Sequence, residues 1–167
     1  MDYLIALIII FVNFLFQTTI LRDFTVLGVS PNTALVIVVC FALLKNRKFT
    51  YIFAIVMGIL QDLFYGRAIG IHILIYIVIA FLIYKYKENL PVDRNVVAIV
   101  YVLLGTIIYH FMYYFIIFFQ GVNIRFFKFL NEKITIELLL NVVWTYILYK
   151  LIDKIYKRKS LTFSENR

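Results

Sequence analysis

Charge is nearly absent from long stretches of this chain, and that absence constrains the fold more than any single motif. Six apolar runs follow one another, each bounded by a short cluster of Lys, Arg, Asp or Pro. About 20 apolar residues cross the hydrocarbon core of a bilayer as a helix. In lipid such a segment must satisfy its own backbone hydrogen bonds, which a helix does. With 64% hydrophobic and 19% aromatic residues, the chain lies far from soluble globular composition. It reads as an all-α integral membrane protein, a bundle of six transmembrane helices. Spans at about 3–21, 31–46, 49–65, 71–85, 96–119 and 134–152, followed by a basic tail at 153–167, use the 167 residues and leave no room for a soluble second domain.

The net charge of +8 points to lipid phosphates rather than nucleic acid, because the basic residues flank apolar segments. Six spans place the N-terminus, the turn at 45–48, the loop at 85–95 and the tail on one side. That side carries 12 of the 17 basic residues, among them Lys45, Arg47, Lys48, Lys85, Lys87 and Arg94. The positive-inside bias then makes both termini cytoplasmic. The opening MDYLIALIII has neither a basic n-region nor a small-residue cleavage site, so it reads as a retained first span. The single cysteine, Cys40, lies inside an apolar run; it cannot form an internal disulfide and reads as a small buried hydrophobe.

Ser30 followed by Pro31 is a favourable helix start, with Ser as cap and Pro at the first helical position. Span two is short and is expected to continue into 45–48 with its lysines snorkelling. The stretch KYKENLPVDRN at 85–95 is the clearest linker. The segment 120–133 mixes Phe126, Phe127, Phe129 and Leu130 with Arg125 and Lys128, a pattern that suits a segment lying in the membrane interface.

Polar residues inside the spans are few and fall at one depth. At about 1.5 Å per residue, Gln17, Asp62 and His110 each lie roughly 20 Å from the inner end of their span. His72 opens span four from the outside, and Glu137 sits about one turn inside the outer end of span six. Glu137, Asn141 and Thr145 share a helix face, as do Thr106, His110 and Tyr114, and Asn13 and Gln17. Inter-helix hydrogen bonds that lock the bundle account for such a layer. So does a polar cavity open toward the outer leaflet, built from Gln17, Asp62, His72, His110, Glu137 and Asn141.

Signatures of catalysis are missing. The sequence offers no nucleophile with a positioned base, no phosphate-binding glycine loop and no tight ligand spacing such as HExxH. Neither a metal nor a cofactor is expected, and Asp62 with His72 or His110 is the one acid/base pair an enzyme could use. Tyr109, Tyr113 and Tyr114 read as rings that pack against neighbouring helices and anchor at interfaces.

The stretch 58–72, GILQDLFYGRAIGIH, combines the spacing G-x-x-x-D-x-x-x-G-x-x-x-G at Gly58, Asp62, Gly66 and Gly70 with Arg67 and His72. Within 31–83 it follows Pro31 and Asn32, which open a span, and a short basic turn. This run resembles the rod-shape-determining protein MreD family. The resemblance implies a non-enzymatic subunit of the bacterial cell-elongation machinery in the cytoplasmic membrane. Its partners would be an MreC-like bitopic protein and, through it, MreB-like filaments and the RodA and penicillin-binding synthases of lateral peptidoglycan. It also implies a fold similar to the S-components of energy-coupling-factor transporters. His72 stands where the family commonly has Asn. The rival reading is a vitamin-binding S-component. Such proteins dock through a small-xxx-small face on span one, and span one here is bulky, with Ala6 as its one small residue. Asp62, held by Arg67 or by backbone groups of the glycine turn, is expected to act as a polar lock.

Overall fold

The computed structural model describes residues 2–23, 25–66, 68–87, 94–121 and 134–164. Those residues form six helices: α1 (Asp2–Asp23), α2 (Thr33–Leu44), α3 (Arg47–Phe64), α4 (Ile71–Tyr86), α5 (Arg94–Phe119) and α6 (Ile134–Ser164). Segments at Asp2–Leu21, Arg94–Phe119 and Ile134–Tyr156 are long and apolar enough to cross a membrane, and α2 and α4 are shorter apolar helices. The architecture is that of a helical membrane protein. Arg67, and most of the connections expected at 85–95 and 120–133, fall outside the described residues.

The bundle is built around α2. Its sequence, TALVIVVCFALL, is apolar on every side, the pattern of a helix enclosed by others. The structure buries it accordingly: every residue from Thr33 to Ala42 is inaccessible, and α2 touches all five other helices. Around it, α3 and α4 pack as one pair and α5 and α6 as another, while α1 leans on α2 and α3 at the edge. At 12 residues, α2 is about 18 Å long, too short to cross a bilayer unaided. Both its ends therefore lie against protein, and their backbone groups need partners there.

The C-terminal end of α2 obtains them from its own cap residue, from α3 and from the end of α4. The Phe41 carbonyl accepts from the Lys45 backbone N–H (2.9 Å) and from the Thr50 hydroxyl (3.0 Å). Lys87 Nζ donates to the Ala42 carbonyl (3.1 Å), and the Tyr84 hydroxyl donates to the Lys45 carbonyl (2.6 Å). Lys45 itself reaches Asp2 (3.0 Å) and lies over the Tyr156 ring, 3.3 Å from its centroid, which ties in α1 and α6.

Three boundaries differ from the sequence expectation. Helix α2 ends at Leu44 rather than continuing into 45–48, because the Lys45 backbone is extended and α3 begins at Arg47. The cap of α2 is Asn32, not Ser30: the Asn32 side chain accepts from the Leu35 N–H at 3.1 Å, and the helix begins at Thr33 rather than at Pro31. An Asn side chain caps as well as Ser, and the Asn32 backbone N–H is held separately by Asn141. At the other end of the chain, α6 runs on through the basic segment to Ser164. Residues 153–164 contain no Pro or Gly to stop it, and Lys and Arg are good helix formers.

Glycine decides how closely α3 and α4 approach. A Cβ at Gly58 would lie 2.5 Å from Ile73 Cα and 2.6 Å from Ile73 N, so the helices touch backbone to backbone there. Gly58→Ala should force them apart and cost about 1–3 kcal/mol, read as a lower Tm in detergent. Gly105→Ala, whose Cβ would meet nothing nearer than 3.6 Å, should leave Tm unchanged. Equal melting of both variants with the parent would refute the close approach.

Candidate functional site

The end of the bundle opposite the Lys45 turn carries the polar layer, and the C-terminus of α3 is its anchor. Helix α4 begins at Gly70, whose φ of 110° lies in the left-handed region that glycine enters without a steric penalty. Having no side chain, Gly70 cannot cap its own helix. Asp62, one helix earlier, does so instead. Its Oδ2 accepts from the Gly70 N–H (2.7 Å) and its Oδ1 from the His72 N–H (2.9 Å). These are first-turn donors that would otherwise have no partner, and a carboxylate at a helix N-terminus also meets the positive end of the helix dipole.

The same Oδ1 lies 2.7 Å from His72 Nδ1. An ionised carboxylate only accepts, so Nδ1–H donates to it, and the other ring nitrogen, Nε2, is hydrogen-bonded to the Tyr109 hydroxyl at 2.9 Å. Asp62 and His72 are 3% exposed each, and burial of a carboxylate at this depth is tolerable because three donors, the Gly70 and His72 amides and the His72 ring, point at it. The chain of contacts thus joins α3 to α4 and α4 to α5.

Three further links close the layer. His110 Nε2 lies 2.8 Å from Glu137 Oε2, joining α5 to α6. Asn141, fully buried, accepts from the Asn32 N–H (2.8 Å) at the start of α2 and donates to the Thr106 hydroxyl (3.0 Å) on α5. On the far side, Gln61 Nε2 donates to Gln17 Oε1 (2.7 Å), which holds the edge helix α1 to α3.

These residues enclose a cavity of about 450 Å³. Gln17, Gln61, Asn32, His72, His110 and Glu137 contribute polar groups to its wall, with Pro31 and the rings of Tyr65, Tyr109 and Tyr113. Tyr109 and Tyr113 are parallel within 8°, their centroids 6.0 Å apart. Tyr65 and Ser30 are exposed at the rim, whereas His72 and Glu137 lie buried at the floor.

Of the residues singled out from sequence, Gln17, Pro31, Asn32, His72, His110 and Glu137 line this cavity; Asp62 and Asn141 sit behind its wall, engaged with helix ends. Gly58 serves helix approach and Gly70 the turn. Arg67 lies outside the described residues; among those, the partners of Asp62 are the glycine-turn backbone and His72. His110 pairs with Glu137 rather than with Asp62. Sequence reasoning missed Gln61, an amide at the depth of Gln17, and assigned Tyr109 to packing although its hydroxyl completes the Asp62–His72 chain.

The model of the family described as rod shape-determining protein MreD matches residues 1–159 of the chain. No curated protein and no solved structure matches it.

Asp62→Leu leaves two backbone N–H groups and a ring N–H without an acceptor, at about 1–3 kcal/mol each, and should lower Tm sharply or prevent folding. Asp62→Asn keeps one acceptor oxygen and should melt between Asp62→Leu and the parent. Thermal melts in one detergent decide the matter: identical values for the two variants would remove Asp62 from the capping role.

Proposed function

Because the chain belongs to the MreD family of rod shape-determining proteins, we propose that it is a membrane scaffold of the bacterial cell-elongation complex. In this reading it crosses the cytoplasmic membrane six times with both termini inside, in a fold like that of the energy-coupling-factor S-components. It binds the transmembrane helix and membrane-proximal segment of an MreC-like bitopic protein. Through that partner it contributes to the placement of MreB-like filaments and of the RodA and penicillin-binding synthases.

The observation that carries the reading is how the polar layer spends its groups. Asp62, His72, Asn141 and Gln61 bind helix ends or neighbouring helices, which suits a rigid body that presents surfaces to partners. The S-component reading draws no comparable support. Ala6, the small residue of α1, is fully buried, and the outward face of α1 is made of Leu4, Leu7, Ile8 and Phe11, bulky side chains that hold a docking helix at a distance.

The scaffold role predicts that the protein co-purifies in mild detergent with a bitopic MreC-like protein. A stable complex with a transporter ATPase module instead would sink it. The topology is tested separately by thiol labelling of intact cells, made simple because Cys40 is fully buried. A cysteine at Leu27, on the exposed turn between α1 and α2, should react with an impermeant reagent, and one at Lys48 should not. The reverse pattern would invert the orientation.

A further inference from the structure

A second cavity, of about 400 Å³, opens between the C-terminal half of α4 and the N-terminal half of α5. It lies toward the end of the bundle that carries Lys45 and Lys87, away from His72. Its walls are apolar: Ile79 and Ile83 from α4 face Tyr101, Leu104 and Ile108 from α5, and Tyr86 stands at the mouth. From Ile79 to Tyr86, and equally from Tyr101 to Ile108, seven residues give a slot about 10 Å deep along the helix axes. Leu104 is half exposed on one side of it, so the slot communicates with the surrounding membrane.

Cations mark its mouth. Lys85 is exposed, with its ammonium 5.5 Å from the centroid of the Tyr86 ring. Arg94 is exposed at the start of α5, seven residues before Tyr101 and fourteen before Ile108, and so lies on the same helical stripe as the slot. Neither forms an ion pair among the described residues. A tyrosine at the membrane interface sits at headgroup level, and a guanidinium binds a phosphate through two parallel hydrogen bonds. A narrow apolar slot that ends at headgroup level beneath two exposed cations has the chemistry of a phospholipid: acyl chain inside, phosphate outside.

We propose that the slot between α4 and α5 is a binding site for one anionic phospholipid, its acyl chain between Ile83 and Leu104 and its phosphate on Lys85 and Arg94. This goes beyond the scaffold role and does not depend on it. The site prefers anionic to zwitterionic lipid because the two cations attract net negative charge, and it retains the lipid because the chain is enclosed.

The experiment is native mass spectrometry of the whole protein in mild detergent, titrated with phosphatidylglycerol or phosphatidylcholine. The parent should retain one phosphatidylglycerol in preference to phosphatidylcholine. Lys85→Gln and Arg94→Gln should each lower that preference about fivefold. Leu104→Trp, which fills the slot from its exposed side, should abolish tight retention of either lipid while leaving Tm unchanged; Val100→Trp, on the same wall, serves as an independent filler. Equal retention of the two lipids by the parent would overturn the proposal, as would a tight adduct that survives both tryptophan variants. A cysteine at Leu104 that cross-links to a second copy of the chain, or to a partner's helix, with loss of the lipid adduct would reassign the slot to that protein.

Discussion

Two oxygens of one carboxylate hold the arrangement together. Asp62 ends one helix and caps the next, accepting from the Gly70 and His72 amides and from the His72 ring. In water, a solvent molecule would replace any of these bonds at little cost. Inside a membrane none is at hand, and an unmade bond carries its full desolvation penalty. The α3–α4 hairpin can therefore turn within the protein only because a charged acceptor waits there. Once His72 is fixed, its other ring nitrogen fixes Tyr109 on α5, and the position of α5 sets that of His110 toward Glu137.

The close approach at Gly58 belongs to the same design. Backbone contact between α3 and α4 brings the two helix ends near enough for an aspartate, with its short side chain, to reach over the turn. A longer acid could span a wider gap but would bring more rotamer freedom to be lost. Dispersion between the close-packed helices and the directed bonds of Asp62 thus act on the same pair at different heights. The glycine spacing that looks like a packing motif and the aspartate that looks like a defect in it are two parts of one turn.

Much of this was legible in the residues, and the illegible part has a physical cause. Apolar runs located the helices because the chain has so little else between its charge clusters, and helical rise placed Gln17, Asp62 and His110 at a common height. Height is only one coordinate. Which polar groups meet depends on the rotation of each helix and on which helices are neighbours, and six helices admit many arrangements. That is why Gln61 escaped notice beside Gln17, and why the phenol of Tyr109 passed as packing. The start of α2 was misplaced because Ser30, Pro31 and Asn32 each favour a helix beginning, and only the contact from Asn141 decides among them. The length of α6 escaped because hydropathy reports where a helix leaves lipid, not where it ends.

The enclosure of α2 bears on how the chain is made. Synthesis delivers α2 second, when one of its five neighbours exists, and the groups that complete its ends arrive late: Tyr84 and Lys87 at the close of α4, and Asn141 from a position 109 residues downstream of the amide it accepts. Until then a 12-residue helix stands in the membrane with polar ends that lipid cannot satisfy. The second helix to emerge is thus among the last to be finished, and the bundle closes around it only when the C-terminal helix comes into place. A chain interrupted before α6 would keep every residue of α2 and still lack the partner that seals its N-terminal end.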